Sequence, residues 1–246
     1  MFYRTARLAR TGHDVRVDHT KLDAARHKLE DEFRHLRPKL RGVSHAWAFW
    51  FALVAAIVLA VVVDGARQTT AAAIYGVGLC ALFGASGIYH RWRWDPRWRP
   101  LLRRIDHAAI FVFIAASYTP IALLVLTGTM RWTILAVVWT GAVGGVLMSV
   151  LWIDAPRWLV AAVYLALGWV AVAATPQLID RLGAAPLLLL AAGGVLYSVG
   201  AVIYALKRPD PWPKTFGFHE IFHALVIAAA VVHFTAIAGW VFATPA

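Results

Sequence analysis

The run VSHAWAFWFALVAAIVLAVVV, residues 43–63, carries no Lys, Arg, Asp or Glu over 21 positions. Wound as a helix at about 1.5 Å per residue it is ~30 Å long, the thickness of a bilayer's hydrocarbon core. Six more apolar runs follow near 70–90, 105–127, 132–152, 158–175, 186–206 and 219–240, the fifth being the shortest. Lipid offers the main chain no hydrogen bonds, so runs of this length must be helical, whereas an outer-membrane barrel shows short alternating strands. The expected fold is an all-α membrane protein, a seven-transmembrane-helix bundle forming one domain over residues 43–240. Composition agrees: 61% of residues are apolar and 15% charged, against roughly half and a quarter in a soluble domain.

The formal charge of +11 is distributed unevenly. Of 24 Lys and Arg, 11 lie in residues 1–42, six in 91–104, one in 153–157 and three in 207–218. The alternate loops hold only Arg67, Arg131 and Arg181, and no span contains a basic residue. By the positive-inside rule the N-terminus is cytoplasmic and, after seven crossings, the C-terminus is outside, in a multi-pass protein of the plasma or inner membrane. The basic residues then report orientation and contact with anionic lipid, and no nucleic-acid partner is expected. Protein partners are not legible.

Residues 1–42 read as a cytoplasmic polar segment. Leu22, Ala25, Leu29, Phe33 and Leu36 recur at helical spacing, Thr20 is an N-cap candidate and Pro38 a stop. The spacing predicts an interfacial amphipathic helix over 20–37. No cleavable signal peptide is expected, because this segment lacks an apolar core. The single cysteine, Cys80, lies inside a span and reads as a packing residue.

Chargeable side chains inside spans are costly and mark candidate sites. The spans hold two carboxylates, Asp106 and Glu220, and six histidines: His45, His90, His107, His219, His223 and His233. Topology puts His90 at the cytoplasmic end of the second span, Asp106 and His107 at the start of the third, and His219 and His223 in the first turns of the seventh. His219 and His223 belong to GFHEIFHAL (217–225), which contains HExxH, the helix signature of zinc proteases. Ten histidines in 246 residues yield roughly 0.4 such i,i+4 pairs by chance, so the motif alone is weak. The convergence of three spans at one depth is stronger. Two imidazoles one turn apart suit chelation, and a third from His90 makes a three-histidine site with one position open, the pattern of catalytic zinc. Imidazole favours zinc but also suits iron, copper and nickel. Zinc acidifies water to a pKa of about 7. Asp106 is the natural acceptor for that water and a candidate general base. Ser86, four residues before His90, shares its face; its hydroxyl either serves the site or bonds its own helix.

A protease reading would make Glu220 the base. Intramembrane metalloproteases usually draw a third ligand from a later DG motif, and the only DG here, Asp64-Gly65, falls on the outer side. His45 is expected to anchor at the interface, His107 to point ~100° away from Asp106, and His233 to pack or hydrogen-bond between helices. Trp92, Trp94 and Trp98, among arginines, read as an interfacial belt.

SGIYH (86–90), LRRIDHAAIFVFIAASYTP (102–120) and GFHEIFHAL (217–225), with RGVSH (41–45), resemble the hemolysin III group within the superfamily of progestin and adipoQ receptors. The resemblance runs from about residue 38 to 240. It implies seven helices with the N-terminus inside and a zinc ion near the cytoplasmic face. By motif position, His90, His219 and His223 are its ligands, Asp106 holds the water and Ser86 lies close by. Pro120, in the SYTP signature, is expected to kink the third helix. Eukaryotic relatives look like ceramidases, and bacterial ones carry a pore-forming name or are linked to membrane-lipid homeostasis. The expected function is a zinc-dependent hydrolase of a lipid amide or ester, with membrane lipids as substrate or ligand. The alternatives are a pore-forming hemolysin and a lipid sensor with a structural zinc.

Overall fold

The computed structural model describes residues 38–244. The amphipathic helix expected over 20–37 lies outside the described residues. The chain from Pro38 onward forms a single compact unit. Among the described residues seven helices are long and apolar enough to cross a membrane. They are α1 (Val43–Val62), α2 (Ala66–Arg91), α3 (Arg99–Val125), α4 (Gly128–Leu151), α5 (Arg157–Leu182), α6 (Ala184–Leu206) and α7 (Phe218–Val241). Consecutive helices pack against one another, and α7 closes the ring onto α1. Large apolar side chains such as Phe51, Val61 and Leu151 face outward and are exposed. In water such a surface would be untenable over a whole bundle; it belongs against acyl chains.

The third helix is the most buried of the seven. Phe111, Ala115, Ala116 and Pro120 lie along it almost wholly covered. Lipid supplies no hydrophobic force between helices, so close approach depends on small residues. Gly76 and Gly87 seat α2 against Ala56 and Ala46 of α1, and Gly78 seats it against Ala116 of α3.

The sequence SYTP (117–120) accounts for two irregularities. Pro120 has no N–H to give to the preceding turn, and directly after it the helix widens into a π-helical turn over Ile121–Val125. Leu126 N–H closes it on the Ile121 carbonyl at 3.1 Å. Tyr118 stitches the second break. The fifth helix tightens to a 3₁₀ stretch over Trp169–Ala174 before resuming at Thr175–Leu182. Here the Tyr118 hydroxyl donates to the Gly168 carbonyl and accepts from Ala171 N–H at 2.9 Å. Thr119 Oγ1 donates to Ala115 O at 3.0 Å and accepts from Trp139 Nε1 at 3.2 Å. The fifth helix therefore continues past residue 175, where the apolar run stops, to Leu182.

Helix direction alternates along the ring, so one end collects the starts of α1, α3, α5 and α7 with the ends of α2, α4 and α6. At this end lie 12 of the 15 Lys and Arg between residues 38 and 244. Trp92, Trp98, Trp158 and Trp212 are exposed there too, as amphipathic rings at a membrane boundary should be. Just before α1, Lys39 and Leu40 donate main-chain hydrogen bonds to the carbonyls of Lys214 and Thr215, joining the lead-in of α1 to that of α7.

Candidate metal centre

The seventh helix begins at Phe218, and its free N–H groups need partners. Asp210 Oδ1 accepts from Phe218 N–H at 3.0 Å, and Glu220 Oε2 accepts from Gly217 N–H at 2.8 Å, a capping arrangement. The other oxygen of Glu220 receives Arg41 Nε at 2.6 Å. Both oxygens of the HExxH glutamate are thus engaged in holding the helix start. Glu220 serves the helix cap and an ion pair, in contrast to the base of a protease.

With the first turn fixed, His219 and His223 face the interior one above the other, both buried. His90, in the last turn of α2, meets them. Its Nε2 is 3.2 Å from His219 Nε2, and its ring centroid is 5.1 Å from that of His223. One nitrogen from each of His90, His219 and His223 lies within 4.8 Å of the others. Asp106, in the second turn of α3 and buried, puts Oδ2 3.3 Å from His90 Nε2. Ser86 is buried one turn before His90. Several Ser and Thr hydroxyls of the bundle, Thr119 and Ser149 among them, bond back to their own helix. Ser86 forms no such bond among the described residues.

The donor arithmetic points to a cation. His90 Nε2 carries at most one proton yet faces both His219 Nε2 and Asp106 Oδ2. His223 Nδ1 is buried with no hydrogen-bond partner. Nitrogens about 2.05 Å from a tetrahedral ion stand about 3.3 Å apart, close to the 3.2 Å between His90 and His219. The donor set and the His90–His219 spacing fit a metal ion. Tyr89, Tyr204 and Phe222 pack around the imidazoles, and Arg157 lies over the Tyr204 ring at 5.4 Å.

Of the remaining histidines, two stand as expected and one does not. His233, deeper in the bundle, bonds the Leu190 carbonyl of α6 through Nε2 at 2.9 Å, an interhelical role. His107 stands outside the cluster, and its carbonyl accepts from Tyr164 OH at 3.2 Å. His45 requires a correction: it is buried rather than interfacial, its ring stacked on His223 with centroids 3.8 Å apart and planes 6° from parallel. A histidine at a helix end normally reaches water, whereas α1 here packs against α7. The signal available was RGVSH, in which a glycine directly precedes the first span.

Comparison with known proteins places the chain in a family. Residues 33–234 match the sequence profile of the family described as haemolysin-III related. Hemolysin-3 of Bacillus cereus is 32% identical over 210 residues, covering 82% of this chain and 91% of that protein. Monocyte to macrophage differentiation factor of Homo sapiens is 30% identical, over 82% of this chain and 83% of its own length. A shorter segment of 46 residues is 52% identical to Adiponectin receptor protein of Drosophila melanogaster, covering 17% of this chain and 10% of that protein. A seven-helix bundle with a buried three-histidine cluster at its basic end, this chain belongs to the haemolysin-III-related family of the progestin and adipoQ receptor superfamily.

Proposed function

We infer that the protein is a zinc-dependent hydrolase of a lipid amide or ester, working at the cytoplasmic face of the cell membrane. The observation that carries this reading is the meeting of His90, His219 and His223 within 4.8 Å, with Asp106 Oδ2 3.3 Å from His90 Nε2. The cytoplasmic assignment rests on the basic end of the bundle, which is also the end of the histidine cluster; the N-terminus is then inside and the C-terminus outside. Residues 1–42 would then lie in the cytoplasm.

Three imidazoles with a neighbouring carboxylate suit zinc, which would supply Lewis acidity toward a carbonyl and toward water. The chain's own groups divide the remaining work. Asp106, ionised and acceptor-only, takes up the proton of the attacking nucleophile on Oδ2 and hands it to the leaving group. The Ser86 hydroxyl, unspent on its own helix, donates to the substrate carbonyl oxygen. The aromatic side chains around the imidazoles limit water, which strengthens each polar contact inside.

A pore is less well supported. Apart from Thr119 and the hydroxyls of Tyr75 and Tyr118, the buried polar side chains (His45, Ser86, His90, Asp106, Ser149, His219, Glu220 and His223) gather at the basic end. Deeper in the bundle, Tyr118, Thr119 and His233 hold their polar atoms in hydrogen bonds to neighbouring helices. The test is release of free fatty acid from N-acyl and ester lipids by purified protein, with His219→Ala as control. Release confined to the wild type supports hydrolysis; equal release by both ends the proposal.

A further inference from the structure

The stretch RGVSH, residues 41–45, leads into and opens α1, and each of three of its residues bears on a different part of the histidine cluster. Arg41 Nε holds Glu220 Oε1 at 2.6 Å, beside His219. Gly42, with φ of 75°, lies so close to α2 that an added Cβ would come within 2.7 Å of His90 Cβ. His45, 2% exposed, lays its ring on that of His223 and directs Nε2 toward the His223 carbonyl at 3.4 Å. Phe83 of α2 meets His45 edge-on with centroids 5.1 Å apart, so the His45 ring is fixed on that side as well.

We propose that His45, supported by Arg41 and Gly42, is a positioning residue that sets the ring plane of His223 for metal binding. This rests on the metal-site reading above. Parallel stacking makes His45 itself a poor ligand, since two rings face to face at 3.8 Å cannot both aim a nitrogen at one ion between them. What stacking does is restrict rotation of His223 about its side-chain torsions. His90 and His219 meet the His223 ring at 65° and 54°, so neither can act as a flat plate against it. Without His45, one face of His223 loses the surface that holds its tilt. The ligand must then be ordered when the metal binds, which lowers affinity. The His45 nitrogens add little to the stack: Nδ1 has no hydrogen-bond partner and Nε2 makes only the long 3.4 Å contact to the His223 carbonyl, so a hydrocarbon ring of the same shape should keep most of the effect.

The experiment uses full-length protein in detergent, stripped of metal and titrated with cobalt(II). Affinity and visible absorption are read together with the melting temperature of the metal-free protein. His45→Ala should weaken cobalt binding by about 10- to 100-fold and alter its absorption. His45→Phe, which keeps a flat ring, should restore most of the affinity and the wild-type spectrum. If His45→Ala binds cobalt as tightly as wild type with the same spectrum, His45 does not position His223. A lower metal-free melting temperature with unchanged affinity would likewise reduce it to a packing residue. Equal loss in the alanine and phenylalanine variants overturns the stacking role. Failure of the underlying site looks different: wild type would then take up cobalt no better than a His90→Ala, His219→Ala double variant.

Discussion

Replacing Gly42 by alanine probes the contact through which the lead-in of α1 supports His90. Two costs follow from the structure. The backbone at φ of 75° is left-handed, a conformation that a Cβ disfavours by about 1–2 kcal/mol. The new methyl would also lie 2.7 Å from His90 Cβ and 2.8 Å from Arg91 N and the His90 carbonyl carbon. Two of those three atoms are main chain of a packed helix and cannot swing aside, so overpacking adds about 1–3 kcal/mol. The expected loss is about 2–5 kcal/mol. Gly128 separates the two terms, because it shares a positive φ, 56°, but has nothing within 4 Å of an added Cβ. Gly128→Ala should lose only the backbone term, about 1–2 kcal/mol. Equilibrium unfolding of both variants in mixed micelles measures the difference. Equal destabilisation would refute the close packing of Gly42 on α2.

Other expectations follow from the same contacts. Alanine substitutions at Arg41 and Glu220 should be strongly non-additive, with a coupling of about 1–3 kcal/mol in a double-mutant cycle; additivity would mean that the 2.6 Å pair does not hold the start of α7. A Cβ at Gly193 would overlap the His233 ring. Gly193→Ala should therefore destabilise by about 1–3 kcal/mol, and His233→Ala in the same chain should recover part of the loss; no recovery would count against that packing. Asp106→Asn should lower lipid hydrolysis by about 10²- to 10⁴-fold with the metal content retained, the size expected for loss of a general base; unchanged turnover would remove Asp106 from proton transfer.

The bundle was legible because the bilayer constrains the chain so tightly. A span must be long, apolar and helical, and residues 43–63 show this without any knowledge of neighbours. The fifth span outruns its apolar stretch because TPQLIDRL (175–182) carries polar side chains. One of them, Gln177, is spent on Thr127 N–H at 3.1 Å, and Leu178 is buried. Hydropathy cannot see a polar group that has found a partner. In the candidate site, depth was readable: helix ends put His90, Asp106, His219 and His223 in one layer once the topology was known. Lateral neighbours were not. That His45 stacks on His223, or that Arg41 pairs with Glu220 across 179 positions of sequence, depends on α7 closing the ring against α1. Neither periodicity nor composition encodes that closure. SYTP shows the same limit, since the partners of Tyr118 lie on another helix, 50 and 53 positions away.

Metal analysis of the purified protein bears most directly on whether these imidazoles share one ion. Wild type and His90→Ala, prepared identically in detergent, should differ: one zinc per chain in the first and little in the second. The same metal content in both proteins, or none in the wild type, would contradict the account.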